Sequence, residues 1–242
     1  VLFIGANPAK MTGGRAPAQF TVDPREVINL FHRCVRCLCL RVRENDVRRV
    51  ATPASEAAEK FYALAAKWMT KKQSAKPWLE VGGQQFRIAS QGRRVLSEPI
   101  PYPDVNVELS FSARSDAVLE LKDGSSALVS YQIAVPVERR QRHRDLELEA
   151  EAFAVENPVE KDSAMRVDRV GSLEFLVTGA QGSSVGTVLG MSRLTLIDRL
   201  PEERDAKPLK DFMRVVAGIL AARIAPPANP YCEFCKRSES AK

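Results

Sequence analysis

Histidine is nearly missing from this chain of 242 residues, which carries only His32 and His143. That scarcity leaves no good support for a histidine-based metal site or a Ser-His-Asp triad. His32 lies close to Cys34 and is an outside ligand candidate; such a residue is more often a surface histidine of a helix. No apolar run approaches the roughly 20 residues that a membrane-spanning helix needs. Val1–Ala6 is apolar but too short to read as a signal peptide. Neither Gly-x-Gly-x-x-Gly nor Gly-x-x-x-x-Gly-Lys-Ser/Thr occurs, so nucleotide hydrolysis has no motif here. The glycine-rich stretch Gly179–Gly190 has no lysine and reads as a strand connection. Thiols are also missing between residues 40 and 231, which argues against a secreted disulfide framework.

The thiols that are present lie at the two ends of the chain. The five cysteines form Cys34-x-x-Cys37, with Cys39 close behind, and Cys232-x-x-Cys235. Two such pairs supply four thiolates, the ligand set of structural zinc or of a [4Fe–4S] cluster. If Cys34, Cys37, Cys232 and Cys235 converge, one metal ties the first helix to the C-terminal tail. The competing reading makes Cys34, Cys37 and Cys39 small buried hydrophobes on an apolar helix. The tail pair, within Pro230–Cys235, lies in a Pro-rich segment that follows Pro226-Pro227, where there is no core to fill.

Charge points to a partner. The net charge is +6, the pI is near 9.2, and 24 arginines outnumber 12 lysines. Arginine suits planar, bidentate phosphate contacts. Its clusters are Arg41/Arg43/Arg48/Arg49, Arg87/Arg93/Arg94 and Arg139/Arg140/Arg142/Arg144. Any one of them fits a solvated surface equally well, but together they favour a polyanion, most plausibly RNA or DNA.

Along the chain, residues 1–21 read as an extended arm. Asp23-Pro24 opens a helix, with Asp as N-cap and Pro at the first helical position. A second helix is expected from about Ala54 to Lys72, with Ala57, Phe61, Leu64, Ala65 and Trp68 on its apolar stripe. Gly82-Gly83 marks a hairpin between Trp78–Val81 and Gln85–Ala89. Val105, Val107, Leu109 and Phe111 alternate as in a half-buried strand. Asp116–Leu121 and Ala127–Ala134 pair around Lys122-Asp123-Gly124-Ser125. A helix over Arg139–Asn157 turns Leu146, Ala150, Phe153 and Ala154 inward. Strands Val167–Val177 and Val185–Leu200 follow, then a helix over Pro208–Ile224 that buries Leu209, Phe212, Met213, Val216, Ile219 and Leu220. The order α-α-β-β-β-α-β-β-α favours one α/β domain over 22–239, built on a mixed sheet.

Several short phrases have a familiar order. Arg33-Cys34-Val35-Arg36-Cys37-Leu38-Cys39-Leu40 opens the helical part, and Cys232-Glu233-Phe234-Cys235-Lys236-Arg237-Ser238-Glu239 closes the chain. Between them stand Ser115-Asp116-Ala117-Val118, Ser130-Tyr131-Gln132, Glu149-x-x-x-Phe153 and Glu156-Asn157-Pro158. This arrangement resembles the PD-(D/E)XK nuclease superfamily, in its RecB-like, CRISPR-associated-exonuclease-like branch, from about Val22 to Glu239. The resemblance implies a restriction-endonuclease-like core: a mixed central sheet flanked by helices, with the termini joined by a four-cysteine metal site, usually an iron–sulfur cluster. It also implies chemistry by two or three carboxylates on Mg²⁺ or Mn²⁺ and a lysine that handles the attacking water.

The departures from that pattern fall on the chemistry. Asp116 matches the first carboxylate, but Ser130-Tyr131-Gln132 stands where Asp-x-Lys is expected. Glu149 and Phe153 replace the Gln and Tyr of Gln-x-x-x-Tyr, and Ala113 replaces a glycine. Asp116, Ser130, Gln132 and Glu149 therefore read as vestigial, with no catalytic magnesium expected. The expectation is an inactive nuclease-like protein, a nucleic-acid-binding or structural subunit of a larger (ribo)nucleoprotein assembly. Its phosphate contacts would come from Arg139, Arg140, Arg142 and Arg144, and its four cysteines would hold zinc or a [4Fe–4S] cluster. One alternative is a working exonuclease with acids recruited from Glu108, Glu120, Asp123 or Glu149. Another is a protein–protein scaffold. Basic composition and reduced cysteines fit a reducing intracellular compartment, the mitochondrial matrix among them.

Overall fold

The structure, a computed structural model, describes residues 16–23, 53–134, 146–178, 187–199 and 206–221, with side chains of the first helix from Glu59 onward. In chain order these hold β1 (Ala18–Val22), α1 (Pro53–Ala75), β2 (Leu79–Val81), β3 (Gln84–Gln91), β4 (Arg94–Leu96), β5 (Ile100–Tyr102), β6 (Val107–Arg114), β7 (Ala117–Leu121), β8 (Ser126–Ile133), α2 (Leu146–Glu156), β9 (Arg169–Thr178), β10 (Thr187–Asp198) and α3 (Lys207–Leu220). The class is mixed α/β, with a core made mostly of sheet and three described helices.

Turn chemistry sets the hairpins. Gly82 and Gly83 take φ of +57° and +78°, a backbone that residues with a Cβ rarely adopt, and they fold β2 onto β3. Between β7 and β8, Asp123 accepts hydrogen bonds from the Ser125 amide and hydroxyl. Those bonds hold the Asp123 carboxyl below the usual carboxylate range, with Arg169 adding to the effect.

Six strands form the larger sheet in the order β10-β9-β8-β7-β3-β2. Only β8 and β9 run parallel, and α2 lies in the connection between them. In a smaller sheet β6 is central, with β1 parallel on one side and β4 and β5 antiparallel to it. β6 buries Val107, Leu109, Phe111 and Ala113 at every second position, as its alternation predicts. The chain then passes through Ser115-Asp116 directly into β7, so one continuous run of backbone belongs to both sheets.

Neighbouring residues of the central strands feed opposite cores. Leu119, Val129, Leu173 and Phe175 pack with Phe61, Ala65 and Met69 of α1. Phe175 is the hub there, with ring centroids 5.2 Å from Tyr131 and 6.1 Å from Phe61 and Trp68. Val118, Leu128 and Val170 point the other way, into a core shared by the smaller sheet, α2 and α3.

Some expectations shift in detail. Leu64, expected on the apolar stripe, is 37% exposed, and Met69 is fully buried instead. In α3, Leu209, Met213, Val216 and Ile219 are buried as expected, whereas Phe212 and Leu220 are half-buried. Ala18–Val22, read as the end of an arm, is a strand whose residues pair with Val107–Phe111. The expected first helix, with its cysteines, lies outside the described residues, as does the start of the helix expected from Arg139. No described helix is long and apolar enough to cross a membrane.

Candidate functional site

The corner between β6 and β7 places Asp116. β7 pairs with β8 from Ala117↔Val129 onward, so Asp116 comes beside Ser130 just where the main chain leaves the ladder. The Ser115 amide instead donates to Arg93 O at 3.1 Å, and the Gly92 amide donates to Asp116 O at 3.0 Å. The amide of Tyr131 then needs another acceptor, and Asp116 Oδ2 supplies it at 2.9 Å. Asp116 is 5% exposed, so this charge-assisted bond completes the sheet with a side chain where the backbone turns away. The Tyr131 hydroxyl accepts from Gln91 Nε2 at 2.6 Å. Burial pushes that phenol well above its ordinary pKa, Gln91 draws it back, and the Asp116 charge raises it further.

The positions where Asp-x-Lys would stand are polar and uncharged. Ser130 is half-buried and Gln132 is exposed, with Gln132 Nε2 donating to Ser130 Oγ at 3.3 Å. Glu149 is not turned to this corner. Its carboxylate accepts from Arg199 Nε at 3.2 Å, and Glu156 Oε1, two turns on, takes Arg199 Nη1 at 2.9 Å. The guanidinium also donates to Val167 O at 2.8 Å. The three charged side chains tie the end of β10 to α2.

The other acids weighed from the sequence are also engaged. Glu108 accepts from Gln19 at 3.1 Å, Glu120 pairs with Arg87 at 2.7 Å, and Asp123 pairs with Arg169 at 3.1 Å. Sequence reasoning missed two buried carboxylates, Glu174 of β9 and Glu151 of α2, which are 6% and 1% exposed. In the parallel register Ser130 faces Ser172 and Gln132 faces Glu174. Asp116, Ser130, Gln132, Ser172 and Glu174 thus share one face of the sheet at the corner. Glu174 was legible as the one acid inside an apolar strand, Leu173-Glu174-Phe175-Leu176. Among the described residues, no three of His, Cys, Asp and Glu are placed to share a metal ion.

Cys34, Cys37, Cys232 and Cys235, and likewise Arg139, Arg140, Arg142 and Arg144, lie outside the described residues. No family model and no curated protein matches the chain. Among solved structures it is similar to the crystal structure of SSO0001, with a TM-score of 0.40 and 10% identity over 95% of this chain and 87% of that one. Likeness at that level carries no argument about fold or function.

Proposed function

We propose that this protein is a nuclease-like fold without nuclease chemistry, serving as a nucleic-acid-binding or structural subunit of a larger (ribo)nucleoprotein assembly. Its core would be of the PD-(D/E)XK kind, with the terminal cysteine pairs holding zinc or a [4Fe–4S] cluster as a structural clasp. The observation that carries the reading is the state of Asp116. The one acid that matches the nuclease pattern is buried and engaged by the Tyr131 amide, while a neutral, exposed Gln132 stands where a lysine would handle water. The basic chain supplies the other half of the argument, since phosphate contacts need only positive charge held in place.

A second reading, a metal-dependent nuclease with rearranged acids, draws on Glu174, a buried carboxylate beside Gln132 on the face that holds Asp116. One assay separates the two. Purified protein is incubated with labelled single- and double-stranded DNA and RNA in Mg²⁺ or Mn²⁺, alongside Asp116→Asn, which keeps an acceptor oxygen for the Tyr131 amide. The expected result is retention of intact strands in salt-sensitive complexes. Cleavage that needs the metal and disappears in Asp116→Asn would establish the second reading and overturn the first.

A further inference from the structure

Some of the described basic residues are tied up in ion pairs, Lys161 with Glu98 among them. Arg87, Arg166, Arg169 and Arg199 are each committed to a carboxylate. Between Lys60 and Lys76 the chain has five lysines and no acidic residue. No ion pair among the described residues engages any of the five. Lys72 instead lies over the Trp68 ring at 5.2 Å.

Helical spacing gathers the charge. Lys60, Lys67 and Lys71 fall within about 40° of one another on α1, at about 100° per residue. All three are exposed, and the side opposite them holds Phe61, Ala65 and Met69, which are at most 4% exposed. Ala63, Ser74 and Ala75 flank the lysines with small side chains, and the exposed Leu64 lies beside them. From Lys60 to Lys71 the ridge runs about 17 Å, close to five nucleotide steps of a strand.

The helix that carries this ridge is fixed to the sheet. Beyond the short β2, the outer edge of β3 is open at Ile88, and Gln73 closes it. Gln73 Oε1 accepts from the Ile88 amide at 2.7 Å, and its Nε2 donates to Ile88 O at 3.4 Å. Thr70 donates to Gln91 Oε1 at 3.1 Å. The charges therefore sit on a helix whose position is set before any ligand arrives.

We infer that the outer face of α1, through Lys60, Lys67 and Lys71, is a contact surface for a nucleic-acid phosphate backbone. This rests on the nucleic-acid-binding reading above and gives it a surface among the described residues. Ammonium groups on flexible stems neutralise phosphates as point charges, so the contact is independent of base sequence. A membrane surface fits less well, because an interfacial helix must insert an apolar face and that of α1 is already buried in the core.

The test measures binding of the full chain to a 30-nucleotide single-stranded RNA, a matching DNA and a 30-base-pair duplex across a salt series. The variants are Lys60→Gln/Lys67→Gln/Lys71→Gln and the corresponding triple change to Arg, each checked for native circular dichroism. The Gln variant should lower the slope of log K against log salt by about 2 to 3, equally for all sequences, and the Arg variant should restore it. An unchanged slope beside tight wild-type binding would overturn this inference and leave the general reading standing. No salt-dependent binding by the wild-type chain overturns both. Stronger binding to poly-glutamate than to any nucleic acid would overturn the inference in favour of an acidic protein partner.

Discussion

The guanidinium of Arg199 has no exposed surface, and the two carboxylates that face it, Glu149 and Glu156, are 13% and 17% exposed. Taking such groups out of water is costly unless each charge keeps its partner. Arg199→Met should therefore destabilise the protein by about 3 kcal/mol, because it leaves two acids of α2 without their cation and Val167 O without a donor. Urea unfolding measures this, and adding Glu149→Gln and Glu156→Gln should recover part of the loss. Equal stability of wild type and Arg199→Met would mean that water reaches the cluster. In the sequence Glu149 reads as the relic of a catalytic-site glutamine, because motif spacing places it and nothing local names Arg199, 50 residues on, as its partner. As a residue to single out, Asp116 was legible, on an expected match to a nuclease pattern. Its hydrogen bond to Tyr131 was not, since that depends on where β6 bends into β7.

At the scale of elements, β9 is pressed hardest at Gly171. A Cβ there would meet Thr195 O at 1.9 Å and the Leu196 Cα at 3.1 Å, both backbone atoms that cannot rotate aside. Gly171→Ala must push β9 and β10 apart and should cost about 3 kcal/mol. Gly190→Ala, where nothing lies within 4 Å of the added carbon, is the control and should be close to neutral. Thermal unfolding of the two variants checks the contrast. Elements bounded by strong local chemistry were legible: the hairpin at Gly82-Gly83, the turn at Asp123-Gly124, and α1, expected over about Ala54–Lys72 and found over Pro53–Ala75. β4 and β5 were not, being three residues each in a stretch broken by Pro99, Pro101 and Pro103. β1 escaped for another reason. Phe20 and Val22 belong to a strand only because β6, more than 80 residues later, pairs with them in parallel.

At the scale of the molecule, the two cores on either side of the large sheet each bury a phenol. Tyr102 of β5 is 3% exposed, and its hydroxyl donates to Lys210 O of α3 at 3.2 Å, joining the smaller sheet to the last helix. Burial pushes its pKa up to about 12; Arg214 draws it down, and Asp211 and Asp104 add to the rise. Tyr131, in the core under α1, is raised in the same direction, first by burial. An unfolded chain ionises its tyrosines near pH 10. The folded chain thus holds these protons to higher pH than the unfolded one. Their contribution to stability is complete below about pH 10 and is lost as pH rises through the folded values, about 12 for Tyr102. For Tyr102 the amount is about 2–3 kcal/mol, from the shift of about two units. Urea unfolding at steps from pH 8 to pH 11.5 should show wild-type stability falling over the last part of that range. Tyr102→Phe, less stable at pH 8 for want of the bond to Lys210 O, should fall less steeply, so that the two curves converge. Lysine and arginine titration is common to both proteins and cancels in the comparison. Parallel curves would mean that Tyr102 ionises as readily in the fold as out of it. Near-ultraviolet circular dichroism follows both cores at once, because Tyr102 lies in one core and Tyr131, with the rings around Phe175, in the other. A single transition at every pH would show that the two cores unfold together, as expected when one run of backbone, β6 into β7, belongs to both sheets.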